Sequence, residues 1–264
     1  MIWYWPYALK PKRALSALAG DAPRRGALIR VGAGFADVHP WPELGDATID
    51  EQLALLAQGE TTALTRRSLW FASQWRPRMF DGLTIPRSHW PGSDPPDEFD
   101  TAKVKMPGGV LPDRVRLRLD FNANGEAFER VASTLPRERI DFVEDPCPYD
   151  GATWSRLREE TGFRFALDRF ITTDAVDVLV VKPAVQDVPD VSIPIIITSY
   201  MDHPIGQLHA AYVAASCSPH TAGLVTHVLY ENDPFIERMR IDGTRLVVPD
   251  FTDLLESLPW KKLA

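Results

Sequence analysis

Six short β-rich runs in the second part of the chain each end on a polar residue, and two of the intervals between those residues are equal. The runs span 102–105, 115–120, 140–144, 163–168, 178–182 and 195–199. Asp120 to Glu144 and Glu144 to Asp168 are each 24 residues apart, room for a strand, a crossover helix and the next strand of a parallel sheet. Helical stretches over 125–135 and 153–161 fill those intervals, and residues 213–217 close another. Strands recurring in this way predict a (β/α) barrel, whose strand C-termini converge on one mouth. An open doubly wound sheet rarely gathers side chains from so many consecutive strands at one point.

Two intervals break the pattern. Residues 106–114 carry Pro107, Gly108, Gly109 and Pro112, and residues 183–194 carry Pro183, Pro189 and Pro194. Neither supports a crossover helix, because proline removes a backbone donor and clashes with the preceding turn. The expected fold is therefore an α/β modified barrel with helices missing at two places, where exposed sheet must be covered by side chains, loops or a partner chain. Upstream, Pro77, Pro86, Pro91, Pro95, Pro96 and Pro107 mark loops or a boundary. Before them, 27–31 reads as a strand, Thr48, Asp50 and Glu51 open a helix over 49–58, and 61–74 repeats the helical pattern. These elements predict an α+β unit over 1–95 and a barrel over 96–264, with the C-terminal tail able to pack back on the first unit.

Asp120, Glu144 and Asp168 end three successive strands, which in a barrel brings three carboxylates close together. Such charges cannot all ionise side by side without a cation. A single acid at a strand end usually caps the next helix or pairs with arginine, but three in one register point to a metal. Oxygen ligands without histidine or cysteine favour Mg²⁺, with Mn²⁺ able to substitute. Lys105 and Lys182 end strands on either side of the acids. There, a nearby cation and partial burial lower a lysine pKa toward the range useful to a general base.

Composition removes competing classes. A net charge of −7 and a pI near 5.4 argue against a nucleic-acid surface. No run approaches the ~18 uncharged apolar residues of a membrane span. Cys147 and Cys217 are too few for a disulfide framework or a zinc cluster. The aromatic start, with Trp3, Tyr4, Trp5 and Tyr7, reads as packing. It continues into Lys10, Lys12 and Arg13, unlike a secretory leader, so a cytoplasmic location is expected. His203 lies nearest the strand ends and reads as a structural hydrogen-bonder, while His39, His89, His209, His220 and His227 show no ligand spacing.

These residues carry a resemblance. Lys103-Val-Lys105, Leu117-Arg-Leu-Asp-Phe-Asn122, Asp141-Phe-Val-Glu-Asp-Pro146, Ala166-Leu-Asp168, Val180-Val-Lys-Pro183 and Ile196-Ile-Thr-Ser199 resemble the successive barrel-strand motifs of the enolase superfamily. Within its muconate-lactonising subgroup they are most similar to the o-succinylbenzoate synthases. The stretch 31–37 followed by Pro40 resembles that family's capping-domain loop, and 250–255 its last helix.

The resemblance implies a capping domain over the barrel, Mg²⁺ on Asp120, Glu144 and Asp168, and Lys105 as the base taking the proton α to the substrate carboxylate. Lys182 matches the opposing lysine that steadies the developing charge. Asn122 matches a polar neighbour of the metal, and Lys103 falls with the substrate-binding residues. Thr198, Ser199 and Tyr200 lie where the family binds a succinyl carboxylate through backbone N–H groups. Three positions depart from the family pattern: Arg169 after Asp168, Asp145 in place of a second Glu, and the run Tyr200-Met-Asp-His203.

The function so implied is Mg²⁺-dependent dehydration of a small-molecule carboxylate, 2-succinyl-6-hydroxy-2,4-cyclohexadiene-1-carboxylate, in menaquinone biosynthesis, with neither nucleic acid nor membrane as partner and no oligomeric state indicated. Racemisation of N-acylamino acids, dipeptide epimerisation and cycloisomerisation keep the same first step. Epimerases usually carry an Asp-x-Asp motif that Tyr200-Met-Asp202 does not supply. The non-enzyme alternative is a metal-stabilised scaffold, disfavoured because clustered charges at one mouth cost folding energy unless a ligand offsets it.

Overall fold

The computed structural model describes residues 1–15, 20–168 and 171–263. Arg169 lies outside them. The chain opens with strands β1 (Ile2–Leu9), β2 (Arg24–Val31) and β3 (Gly34–Val38), an antiparallel meander. Helices α1 (Ile49–Ala57) and α2 (Ala63–Gln74) follow. Each begins with a capping box, Thr48 with Glu51 and Thr62 with Thr65, which satisfies orphan amides of the first turn and contributes about 1 kcal/mol. The helix α2 packs directly on β3, so closely that a Cβ on Gly34 would collide with the Ala72 carbonyl.

Seven parallel strands follow in chain order around a second sheet. They are β4 (Trp90–Pro91), β5 (Thr101–Lys105), β6 (Arg116–Asp120), β7 (Ile140–Glu144), β8 (Phe165–Asp168), β9 (Val178–Val181) and β10 (Ile195–Ile197). The ring closes through a stave of minimal length. Ala222 bridges Ser88 just before β4, and Gly223 bridges Thr198 just after β10, both in parallel register. Four backbone bonds sew this seam: His89 N–H to Ala222 O at 2.8 Å, Ala222 to Arg87 at 2.7 Å, Ser199 to Gly223 at 2.9 Å and Gly223 to Ile197 at 2.9 Å. The result is an eight-stave barrel.

Among the described residues three crossovers are helical: α3 (Gly125–Val131), α4 (Gly151–Thr161) and α5 (Pro204–Cys217), the last leading into the seam. Residues 106–114 and 183–194 contain no helix, as their prolines predict, and 171–177 contain none either. Over β9 and β10 the loop covers its own gap, since Val185, Val188, Val191 and Ile193 pack on the core. The helix α2 assists, with Arg67 Nε donating to Pro183 O at 3.1 Å and its guanidinium paired with Asp187.

The chain then forms the hairpin β11 (Arg240–Asp242) and β12 (Arg245–Val247), the short helix α6 (Thr252–Ser257) and β13 (Lys261–Lys262). The strand β13 pairs with β1, so the end of the chain joins the first sheet. Side chains alternate along each stave. Phe142, Ala166, Val178, Val180 and Ile196 fill the lumen as a small separate core, while the larger core lies between staves, helices and the first sheet. Among the described residues no helix is long and apolar enough to cross a membrane.

Candidate active site

Above the small lumen core, one layer of charge occupies one side of the mouth. Lys103 and Lys105 are two residues apart on β5 and so share its inner face. Lys103 Nζ lies 2.6 Å from Glu144 Oε1 and 3.1 Å from Asp120 Oδ2, and Lys105 Nζ lies 2.8 Å from the same Asp120 oxygen and 3.2 Å from Asn122 Oδ1. Lys182, just beyond β9, pairs with Asp168 Oδ2. In an eight-stave ring β5 and β9 are four staves apart, so Lys105 and Lys182 stand across the mouth from each other. The acids of β6, β7 and β8 fill the arc between them.

The strand ends are held by left-handed turns. Asn122, Ala123 and Asp145 have φ of 48°, 61° and 44°, a conformation costly outside glycine and concentrated at functional sites. It is fixed here by Phe121 N–H to Glu144 O at 3.0 Å, Ala123 to Asp145 at 2.9 Å and Asn122 N–H to Asp120 Oδ1 at 3.0 Å.

The electrostatics separate the acids. Burial raises the pKa of Asp120, but Lys103 and Lys105 outweigh it and hold the carboxyl well below its usual range. Burial likewise lowers that of Lys103, and Asp120 and Glu144 reverse the effect and raise it. Glu144 is raised by burial despite Lys103, and Asp145 is raised further by burial and by Asp168 and Glu144. Carboxylate oxygens of Glu144, Asp145 and Asp168 lie within 4.8 Å of one another. Asp168 Oδ1 is buried without a hydrogen-bond partner among the described residues. Crowded hard oxygens, an orphaned carboxylate atom and no nitrogen or sulfur ligand fit a divalent cation of the Mg²⁺ kind.

The opposite arc is uncharged. Thr198 and Ser199 line a cavity of about 1080 Å³ that also contains the charged layer. Their backbone N–H groups, however, are donated within the ring, to Val181 O at 3.0 Å and Gly223 O at 2.9 Å. What they offer a ligand is side chain: among the described residues Thr198 Oγ1 is buried without a partner, while Ser199 Oγ meets Thr226 Oγ1 at 2.6 Å. Tyr200 lines the same cavity, with its hydroxyl donating to Asp46 Oδ2 at 2.9 Å.

Sequence reasoning missed Asp145, though it adjoins Glu144, and Gly223, whose two-residue stave gives no periodic signal. A Cβ on Gly223 would lie 2.8 Å from His89 Cε1 and 2.9 Å from Thr198 Cγ2, so glycine keeps this side of the mouth open.

The loop of Tyr200, Met201, Asp202 and His203 is tied to the first sheet. Trp41 Nε1 donates to Tyr200 O at 2.8 Å, and His203 N–H donates to Asp37 Oδ2 at 3.1 Å. Asp37 also accepts from the Tyr7 hydroxyl at 2.6 Å, and His203 Nδ1 caps α5 by accepting from Ile205 N–H at 3.2 Å. Burial pushes the Asp202 carboxyl up to about 7, and burial together with Asp202 raises Asp37. Gly206 lets both acids approach α5, since a Cβ there would lie 2.5 Å from Asp202 Oδ2 and 2.8 Å from Asp37 Oδ2.

Comparison with known proteins places this geometry. Residues 2–74 match the family model of the o-succinylbenzoate synthase N-terminal domain. An o-succinylbenzoate synthase of Bdellovibrio bacteriovorus is 33% identical, with 99% of this chain and 98% of that protein covered. A mandelate racemase/muconate lactonizing protein from Herpetosiphon aurantiacus superposes with a TM-score of 0.68 at 15% identity, covering 93% of this chain and 94% of that one. A dipeptide epimerase from Cytophaga hutchinsonii, solved with Mg and the dipeptide D-Ala-L-Val, gives 0.65 at 15% identity, covering 94% and 92%.

Proposed function

Because the chain belongs to the o-succinylbenzoate synthase family of the enolase superfamily, we propose that it is a hydro-lyase converting 2-succinyl-6-hydroxy-2,4-cyclohexadiene-1-carboxylate to 2-succinylbenzoate and water, a step of menaquinone biosynthesis in the cytoplasm. The observation that carries this reading is the pair Lys105 and Lys182 on opposite staves, bounding an arc of acids. Asp120, Glu144 and Asp168 would hold Mg²⁺, with Asp145 beside Glu144 and Asp168. When bound, the cation supplies positive charge for the substrate carboxylate and so acidifies the neighbouring C–H.

Lys105 takes that proton. The C–H electron pair becomes the new ring double bond, the C–O bond to the neighbouring hydroxyl breaks, and the proton leaves with the hydroxyl as water. Lys182 keeps a positive charge over the opposite face of the ring. Lys103, ion-paired with Glu144 and Asp120, orients the ligand carboxylates and balances their charge, and Asn122 positions Lys105.

A racemase or dipeptide epimerase is the runner-up, favoured by the same two lysines, since two bases on opposite faces suit inversion. Incubation with the cyclohexadiene in Mg²⁺, following loss of its diene absorbance, decides between them when run beside α-proton exchange of N-acylamino acids and dipeptides in D₂O. Rapid loss of the diene, abolished by a chelator, is expected. Faster exchange than dehydration, or no diene consumption, would sink the synthase reading.

A further inference from the structure

We infer that His89 presents a fixed, uncharged N–H donor to the cavity and reads a neutral oxygen of the substrate, the ketone on the ring carbon next to its carboxylate; this rests on the dehydratase reading above and extends it. The imidazole stands where the two arcs meet. His89 immediately precedes β4, which pairs with β5 on one side. On the other side its backbone N–H donates to Ala222 O of the seam at 2.8 Å. The residue is 4% exposed, and what remains open lines the cavity. Its ring edge lies against the seam glycine, since a Cβ on Gly223 would be 2.9 Å from Nε2.

A buried arginine decides which ring nitrogen carries the proton. Arg118 lies two residues before Asp120 on the inner face of β6, with its guanidinium 4.9 Å from the centre of the Phe142 ring. Its Nε donates to Asp141 Oδ2 at 2.9 Å, and its Nη1 lies 2.8 Å from Thr221 O and 2.9 Å from His89 Nδ1. A guanidinium has no acceptor, so Nη1 donates one hydrogen to each and His89 Nδ1 accepts. The imidazole proton therefore sits on Nε2, which has no hydrogen-bond partner among the described residues. Burial, and after it the charges of Arg118 and Lys103, push the imidazole pKa well below its ordinary value and keep the ring neutral.

The other donors of the stave ends differ in kind. Lys103, Lys105 and Lys182 are charged and committed to Asp120, Glu144 or Asp168, and the Thr198 and Ser199 amides are spent on the barrel ladder. A ligand whose ring carboxylate lies over the acids carries its acyl ketone on the adjacent ring carbon. The ketone is thus the first polar group met on leaving the acidic arc, and His89, one stave from Lys103, is the first uncharged donor met along the wall.

The test reads the proton and the bond separately, in Mg²⁺, with 2-succinylbenzoate and with 2-(3-carboxypropyl)benzoate, in which a methylene replaces the ketone. Nitrogen NMR of histidine-labelled wild type should show His89 protonated on Nε2 alone, with that resonance shifted by 2-succinylbenzoate and not by the methylene analogue. By calorimetry His89→Phe should bind 2-succinylbenzoate about 3- to 10-fold more weakly, the worth of one neutral hydrogen bond, and the analogue within about twofold of wild type. His89→Gln, able to accept from Arg118 and still donate, should recover most of the loss. Should His89→Phe fail to fold, the wild-type resonance and His89→Gln decide. Protonation on Nδ1, an Nε2 signal indifferent to the ketone, or equal losses for both ligands would overturn the role of His89 and leave the dehydratase reading intact. Failure of wild type to bind 2-succinylbenzoate at all would overturn both.

Discussion

The two arcs of the barrel mouth are built from different materials. From β5 to β9 the staves contribute ionisable side chains that lean on one another: three lysines and four acids, with their polarity fixed by mutual pairing. From β10 through the seam to β4 the staves contribute hydroxyls, a glycine and backbone already bonded. One arc can move protons and hold a cation, and the other can only shape and admit. On the function proposed above, chemistry and recognition fall to separate halves of one ring, and the arcs can be perturbed independently.

The sharpest way to break this division is to remove the base. Lys105→Ala should lower kcat by about 10²- to 10⁴-fold, the usual worth of a positioned general base, measured as diene consumption under saturating substrate. Lys182→Arg keeps a charge on the opposite face and should retain measurable dehydration. If Lys182→Arg is as dead as Lys105→Ala, both lysines exchange protons and the acidic arc performs two-base chemistry.

On the other arc, Gly223→Ala forces a methyl against His89 and Thr198. It should raise KM more than it lowers kcat and cost about 1–3 kcal/mol of stability from overpacking. A loss confined to kcat would mean that the seam takes part in chemistry.

The smallest expected effect lies outside both arcs, at Asp202. Its carboxyl is held protonated in the fold up to about pH 7, whereas in the unfolded chain it ionises near pH 4. Unfolding therefore releases a proton between these values, so this group's contribution falls as pH rises through that window and levels off above it. Asp202→Asn cannot ionise, and its melting temperature relative to wild type should climb by roughly 3–8 °C between about pH 5 and about pH 8. A difference independent of pH would show that Asp202 is ionised in the fold.

The acidic arc was legible in the sequence because its residues end full-length strands at a regular interval, and the helix-free intervals 106–114 and 183–194 were legible because their prolines disfavour a helix. The recognition arc was not. The strand β4 is two residues long and includes Pro91, and the seam rests on Ala222 and Gly223, both too short for any periodicity to register. Asp145 was seen only as a departure from a motif, since adjacency to Glu144 does not reveal that a left-handed turn swings it back toward Asp168. Thr198 and Ser199 were read as amide donors because the sequence cannot tell which backbone groups the ring itself consumes. The pairing of β13 with β1 depends on contacts across nearly the whole chain, which local pattern does not encode.

The bonds that fasten Tyr200 and His203 to Trp41, Asp46 and Asp37 also set how often that edge of the mouth opens. Each is worth about 1 kcal/mol net, so parting all three leaves roughly one molecule in a hundred or fewer with that edge open. Across the mouth lies the interval between β5 and β6, where Gly108, Gly109 and Val110 form part of the rim and Val110 is 75% exposed. No helix braces that stretch, so the interval that the prolines stripped of its crossover is the least restrained edge of the rim.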